Sequence, residues 1–301
     1  MNLDAGVALG FLHEVAAALG LRIQEYSNIH DQAIAEAVSL PIAEHRYVPT
    51  FAIGLGGEPP PTQEILTAFG PQVLAAVIDA AGAPSSRHVT ISGWTISDRQ
   101  ENRRVTTARP DTTPKLFTLG SVLLSRRSIR AYTSEPIAPG ILQRFTVLAV
   151  DICRKRIDSG GAVVDVRPWL ALRVPHGALA AGVYQIDVER PDVFLLRSSG
   201  FSLDEMERCL VQKSLASAPA MIFITGDFGA ALAHRGSRGY RELLLQAGVV
   251  VSRSLLVATA HGLGACATAG LIEASFRPLA NIDGYRECPL VALTTGYPAE
   301  N

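Results

Sequence analysis

Two stretches of this chain, 242 positions apart, repeat the same residues, and this repetition constrains the fold more than any other feature. Ala5-Gly6-Val7 recurs as Ala247-Gly248-Val249, and Gly20-Leu21 recurs as Gly262-Leu263. Val15, Ala16 and Ala18 match Val257, Ala258 and Ala260 at the same spacing. Farther on, Pro49, Ala52 and Gly56 match Pro289, Ala292 and Gly296 at a spacing of 240. Each copy reads as a long apolar helix, a Gly-Leu turn, an acidic helical segment and a buried strand ending in glycine. The first copy is partial, since residues 1–57 match only the later half of a unit spanning 116–301. Its missing half is expected on another polypeptide, or lost from a remodelled tandem.

Between the copies, residues 58–115 read as a connector. Pro59-Pro60-Pro61 opens it, a helical pattern runs over 62–81, and 88–96 alternates as a strand does. The polar stretch 100–114 is expected to be a loop. In the later unit the pattern predicts helices over 116–124, 137–153 and about 240–263. Strands are expected over 169–174, 183–188, 220–226 and 290–295. The run 220–226 is apolar throughout, as in a strand buried on both faces. Ser202 followed by Glu205 is a capping-box start.

Within the later unit, Arg126, Arg127, Ser128 and Arg130 form a dense donor cluster just before Pro136, Pro139 and Gly140. Arginine guanidinium groups offer fixed positive charge in a fork, and the serine adds a hydroxyl donor. Such a group matches a phosphate better than a general basic surface would, although a solvated basic turn has the same composition.

Composition removes several function classes. The formal net charge is −1, which gives no electrostatic case for nucleic acid or an anionic membrane. Cys153, Cys209, Cys266 and Cys288 lie far apart with no metal-ligand spacing, which argues against zinc and disulfides and fits a reducing cytoplasm. The first ten residues lack a basic stretch and include Asp4, so no secretory signal is expected there. The apolar run 243–263 is interrupted by Gln246, Ser252, Arg253 and His261, as in a buried helix rather than a membrane span.

The window 125–145 resembles the N-terminal signature of the nitroreductase-like flavoprotein superfamily. The segments 181–187 (AGVYQID), 209–220 and 235–248 (RGSRGYRELLLQAG), with the Gly262-Leu263-Gly264 turn and the 295–298 end, are similar to its SagB/McbC-type branch. Members of that branch are flavin-dependent azoline dehydrogenases, which oxidise thiazolines and oxazolines in modified peptides. The resemblance implies an α+β nitroreductase-like fold with a partial tandem repeat, and FMN as cofactor at a dimer interface. It implies that Arg126, Arg127, Ser128 and Arg130 contact FMN, and that Gly262, Leu263 and Gly264 offer backbone donors near its ring. Arg238 and Arg241 would pair with phosphate or cap their helix, and Tyr240 would stack on or donate to the substrate. The branch's Lys-Tyr pair is replaced here by His234-Arg235, so His234, with a pKa near neutrality, is the candidate base.

The partners implied are a modified peptide or small-molecule substrate and a second or partner subunit. Two other readings remain open: a degenerate, non-catalytic scaffold subunit, and an FMN reductase of nitro or quinone compounds. The string Gly262-Leu263-Gly264-Ala265-Cys266-Ala267 also fits a dinucleotide fingerprint, but that loop must follow a strand and open a helix. Here it follows a helix.

Overall fold

The computed structural model describes residues 2–19, 21–26, 50–55, 103–106, 119–138, 141–142, 166–187 and 193–299. The elements expected over 62–81 and 88–96 lie outside the described residues, as does the helix over 137–153 apart from 137–138, which are not helical, and 141–142, which are.

A seven-stranded antiparallel sheet organises the later unit. In chain order its strands are β3 (Arg103–Thr106), β4 (Val166–Leu172), β5 (Gly182–Ile186), β6 (Val193–Ser199), β7 (Ala220–Gly226), β8 (Gly264–Thr268) and β9 (Cys288–Gly296). Their order across the sheet is β3-β6-β5-β4-β7-β9-β8. A separate two-stranded ladder joins β1 (Leu21–Tyr26) to β2 (Thr50–Leu55). The polar stretch 100–114, expected as a loop, contributes β3. Its Arg103–Thr106 backbone pairs with Leu196–Val193 at the sheet edge, where ladder hydrogen bonds outweigh a polar composition.

Both sheet faces are covered, and this explains the unbroken apolar run of β7. Ala220, Ile222 and Ile224 point into one core, while Met221 and Phe223 point into the other. On the first face lies α5 (Ser237–Ala260), and against it α1 (Asn2–Ala18). On the second face lie α3 (Leu203–Cys209) and α6 (Glu273–Ala280), where Phe276 stacks on Phe223 at 3.8 Å and meets Trp169 edge-on. The capping box starts α3 as its sequence requires: the Ser202 hydroxyl accepts from the Glu205 N–H, and the Glu205 carboxylate accepts from the Ser202 N–H.

Two shorter helices frame α5. Helix α2 (Leu119–Ser125) leads into the arginine window, and α4 (Phe228–Arg235) folds back on the start of α5 through Gly236 at φ 55°. Among the described residues, α5 is the helix long and apolar enough to cross a membrane, yet 67% of its apolar window is buried inside the protein. Its polar interruptions are absorbed by packing. Ser252 donates to the Val249 carbonyl at 2.8 Å, and Arg253 pairs with Glu14 of α1 at 2.6 Å.

Candidate functional site

The arginine window is held as an extra strand-like segment at the β8 edge. Ser128 bridges Ala265 in parallel, and the Ile129 N–H donates to the Ala265 carbonyl at 3.1 Å. The segment is then fixed to the end of β9: Thr133 N–H donates to Tyr297 O at 2.9 Å, and Ala299 N–H to Ala131 O at 3.1 Å. Tyr132 is the anchor. Its buried phenol donates to the Ile129 carbonyl at 2.5 Å and shares a second hydrogen bond with Thr294 Oγ1 at 2.9 Å. Burial pushes that phenol well above its ordinary pKa, the Thr294 hydrogen bond opposing, so it is a neutral structural hydroxyl.

This attachment decides which side chains face solvent. Ile129 turns inward onto Gly264, where a Cβ would stand 2.8 Å from its side chain. By strand alternation Ser128 and Arg130 turn the other way, and both are exposed. Arg127 is also exposed, whereas Arg126 is half-buried, its guanidinium 5.6 Å above the Phe11 ring of α1. The tertiary structure therefore brings Arg126, Arg127, Ser128 and Arg130 beside the Gly262-Leu263-Gly264 turn, 132 positions later in sequence (262 − 130).

The turn itself differs from expectation in one respect. Gly262 takes a left-handed φ of 73°, which closes α5. Its N–H donates to Thr259 O at 3.0 Å, and the Leu263 N–H donates to Ala258 O at 2.9 Å. These two groups, expected to face a cofactor, satisfy the orphan carbonyls of the helix end instead. Leu263 is buried, and Gly264 opens β8 rather than a helix, so the fingerprint string lacks the dinucleotide setting.

A second group of candidates stands elsewhere. His234 is exposed near the end of α4, and Arg238, Tyr240 and Arg241 occupy the start of α5. Tyr240, 41% exposed, meets Phe228 edge-on at 5.3 Å, and Phe228 meets Tyr285 at 5.9 Å, forming a half-open aromatic face. Arg238 stands in the first turn of α5, where the helix dipole disfavours a cation. From Tyr240 to Ala260 the helix advances about 30 Å at 1.5 Å per residue. The Gly262–Gly264 turn and the His234/Tyr240 group thus lie at opposite ends of α5. Sequence reasoning did not assign Tyr132, Ile129 or Phe11 a role, and a lone tyrosine inside a basic polar window was the available signal.

The Nitroreductase family model matches residues 123–297, which is more than half of the chain. The chain belongs to the nitroreductase family. Proteins of this family are FMN-dependent oxidoreductases. A Methanocaldococcus jannaschii protein named as a nitroreductase is 26% identical over 186 residues, covering 60% of this chain and 92% of that one. A crystal structure from Anabaena variabilis, also named as a nitroreductase, superposes with a TM-score of 0.68 at 20% identity, covering 99% of this chain. This chain spans 65% of that protein's length. A third, from Ralstonia eutropha, gives a TM-score of 0.53 at 19% identity, covering 70% of this chain and 98% of its own. At these identities the two structures establish the shared fold.

The arginine window fits the family's cofactor by the chemistry of its donors. Arg126, Ser128 and Arg130 supply charged and hydroxyl donors on one edge, suited to a phosphate. Among the described residues, nothing lies within 4 Å of a Cβ built on Gly262.

Proposed function

We propose that this protein is an FMN-dependent oxidoreductase that grips its cofactor through Arg126, Ser128 and Arg130, with Arg127 at the rim. The single observation behind this reading is the parallel bridge between Ser128 and Ala265, which seats the donor cluster beside the Gly262–Gly264 turn. FMN, when bound, supplies two-electron redox chemistry. The chain's own contribution is to neutralise the phosphate and fix its position against the β8 edge, where Ile129 packs on Gly264.

The substrate class we assign is an azoline in a modified peptide, oxidised to an azole. The sequence similarity of 181–187 and 235–248 to the SagB/McbC-type branch supports this reading. In it, His234 takes the proton and Tyr240 presents an aromatic surface to the ring. We assign the protein to the cytoplasm, in keeping with its dispersed cysteines.

One observation favours a second subunit in the reaction. His234 and Tyr240 stand where α4 meets the start of α5, about 30 Å along the helix from the Gly262–Gly264 turn that follows its end. They serve the same chemistry where another polypeptide brings its own cofactor to the α4–α5 end. In such an assembly this chain supplies a partner's site and holds FMN in its own arginine window.

The test is visible absorbance of protein purified without added flavin, then soaked in FMN and desalted. A retained flavin band, with Arg126→Ala and Arg130→Ala each binding FMN about 10- to 100-fold more weakly, is the expected result. A folded protein that refuses FMN would overturn the cofactor assignment. Azoline turnover by the yellow protein, lost in His234→Ala, separates this substrate class from NADPH-driven nitro or quinone reduction.

A further inference from the structure

The repeat noted in sequence coincides with a reciprocal contact in space. A Cβ built on Gly6 would fall on the Leu245 carbonyl, and one built on Gly248 would fall on the Leu3 carbonyl. Leu3 and Leu245 are themselves 242 positions apart, as are Gly6 and Gly248 (245 − 3; 248 − 6). Gly10 likewise meets Ser252, again 242 positions away (252 − 10). Contacts that map onto themselves when the two copies are exchanged are the mark of a two-fold axis. The contacts also advance together along both helices, so α1 and α5 run side by side in one direction. Small residues at 6, 10, 248 and 252 let the two backbones touch.

The strands repeat the same spacing. Helix α1 ends at Ala18 and α5 at Ala260. In the small ladder Arg22 pairs with Gly54, and in the large one Gly264 pairs with Gly296. Both partners have moved by 242 (264 − 22; 296 − 54), so the strand pair keeps the helix spacing rather than the 240 suggested by residue matching. Helix, first strand and second strand therefore recur with one register.

We propose that α1-β1-β2 is a built-in counterpart of α5-β8-β9, occupying the place of a second copy, and that its Phe11 is a positioning residue for the cofactor grip. The ring of Phe11 lies under the Arg126 guanidinium at 5.6 Å, a distance at which the aromatic face holds a cation. Arg126 is the half-buried member of the window, and α1 forms part of its surroundings. The first copy thus supplies a side chain to the site of the second. This role of Phe11 rests on the assignment of FMN to the arginine window, whereas the counterpart itself does not.

Two measurements on the full chain test the two parts separately. The ideal Cβ of Gly10 lies 2.9 Å from Ser252 Cβ, shorter than the roughly 3.5–4.5 Å of a disulfide, so the two helices part by about 1 Å to close the bond. The double variant Gly10→Cys/Ser252→Cys is expected to close a bond within one chain, read on a non-reducing gel against each single variant. Cross-linking only between chains, or none, would overturn the built-in counterpart. For Phe11, FMN titration of Phe11→Leu is expected to show about threefold to tenfold weaker binding, with Phe11→Tyr restoring it. Equal affinity of wild type and Phe11→Leu, while Arg126→Ala loses binding, overturns the positioning role. Failure of wild type to bind FMN rejects both the cofactor assignment and this role, and leaves the disulfide result to decide the counterpart.

Discussion

The Tyr132 hydroxyl lies 2.9 Å from Thr294 Oγ1, buried where the arginine window crosses the end of β9. Through this contact and the 2.5 Å bond to the Ile129 carbonyl, one side chain ties the basic segment to β9, one strand in from the β8 edge. That tie adds to the backbone hydrogen bonds of Ile129, Thr133 and Ala131 that hold the window.

Tyr132→Phe removes the hydroxyl and keeps the ring. It is expected to destabilise the protein by about 1–2 kcal/mol, because the Ile129 carbonyl loses its donor. FMN binding should weaken as well, since the backbone carrying Ser128 and Arg130 is then less fixed. Chemical denaturation and FMN titration on the same variant check both. Unchanged stability would show that the phenol contributes nothing beyond its ring.

The Gly264–Ile129 packing gives a second prediction. A Cβ at Gly264 would meet the Ile129 side chain at 2.8 Å, and the branched Ile129 has little freedom to turn aside. Gly264→Ala is expected to cost about 1–3 kcal/mol by overpacking. Ile129→Ala should relieve part of that cost, so the double variant is more stable than the sum of the single losses. A strictly additive cycle would show that the two residues do not press on each other.

A third prediction concerns acid. Burial opposes ionisation of Asp283, but the N–H groups of Tyr285, Arg286 and Glu287 and the charge of Arg286 outweigh it and hold the carboxyl below its ordinary pKa. A carboxylate depressed in the folded state stabilises above its unfolded pKa, and that contribution is lost as pH falls through the folded value. Asp283→Ala is expected to cost about 1 kcal/mol at neutral pH. The gap between wild type and variant should narrow below about pH 4. A gap independent of pH, measured by denaturation at several pH values, would show that the ionised carboxylate is not the stabilising species. The same loop presents Tyr285 to Phe228 and Glu287 to Trp169 Nε1 and Thr225 Oγ1, at 2.9 and 2.7 Å, so its loss would loosen the aromatic face near Tyr240.

Much of this architecture was legible along the chain, because the signals were local. The apolar run of β7, the capping box at Ser202 and the long apolar helix each depend on neighbours a few residues away. The arginine window was visible for the same reason, as four donors within five positions. The strand at 103–106 was missed because its composition is polar and its partner, β6, lies about ninety residues away. The donors of Gly262 and Leu263 were misassigned because a glycine turn looks the same whether its N–H groups face a ligand or close a helix.

The sequence by itself determined the long helix and the most apolar strands, the family signature, the donor chemistry of residues 126–130 and the 242-residue repeat, all of which follow from residue identity and short-range spacing. Tertiary structure decided which of these features meet. It placed the arginine window against β8, set Phe11 beneath Arg126, brought Gly6 to Gly248, and sent His234 and Tyr240 to the far end of α5. Those relationships depend on strand register and on how closely two helices can pack, quantities that arise only when distant segments bury surface against one another.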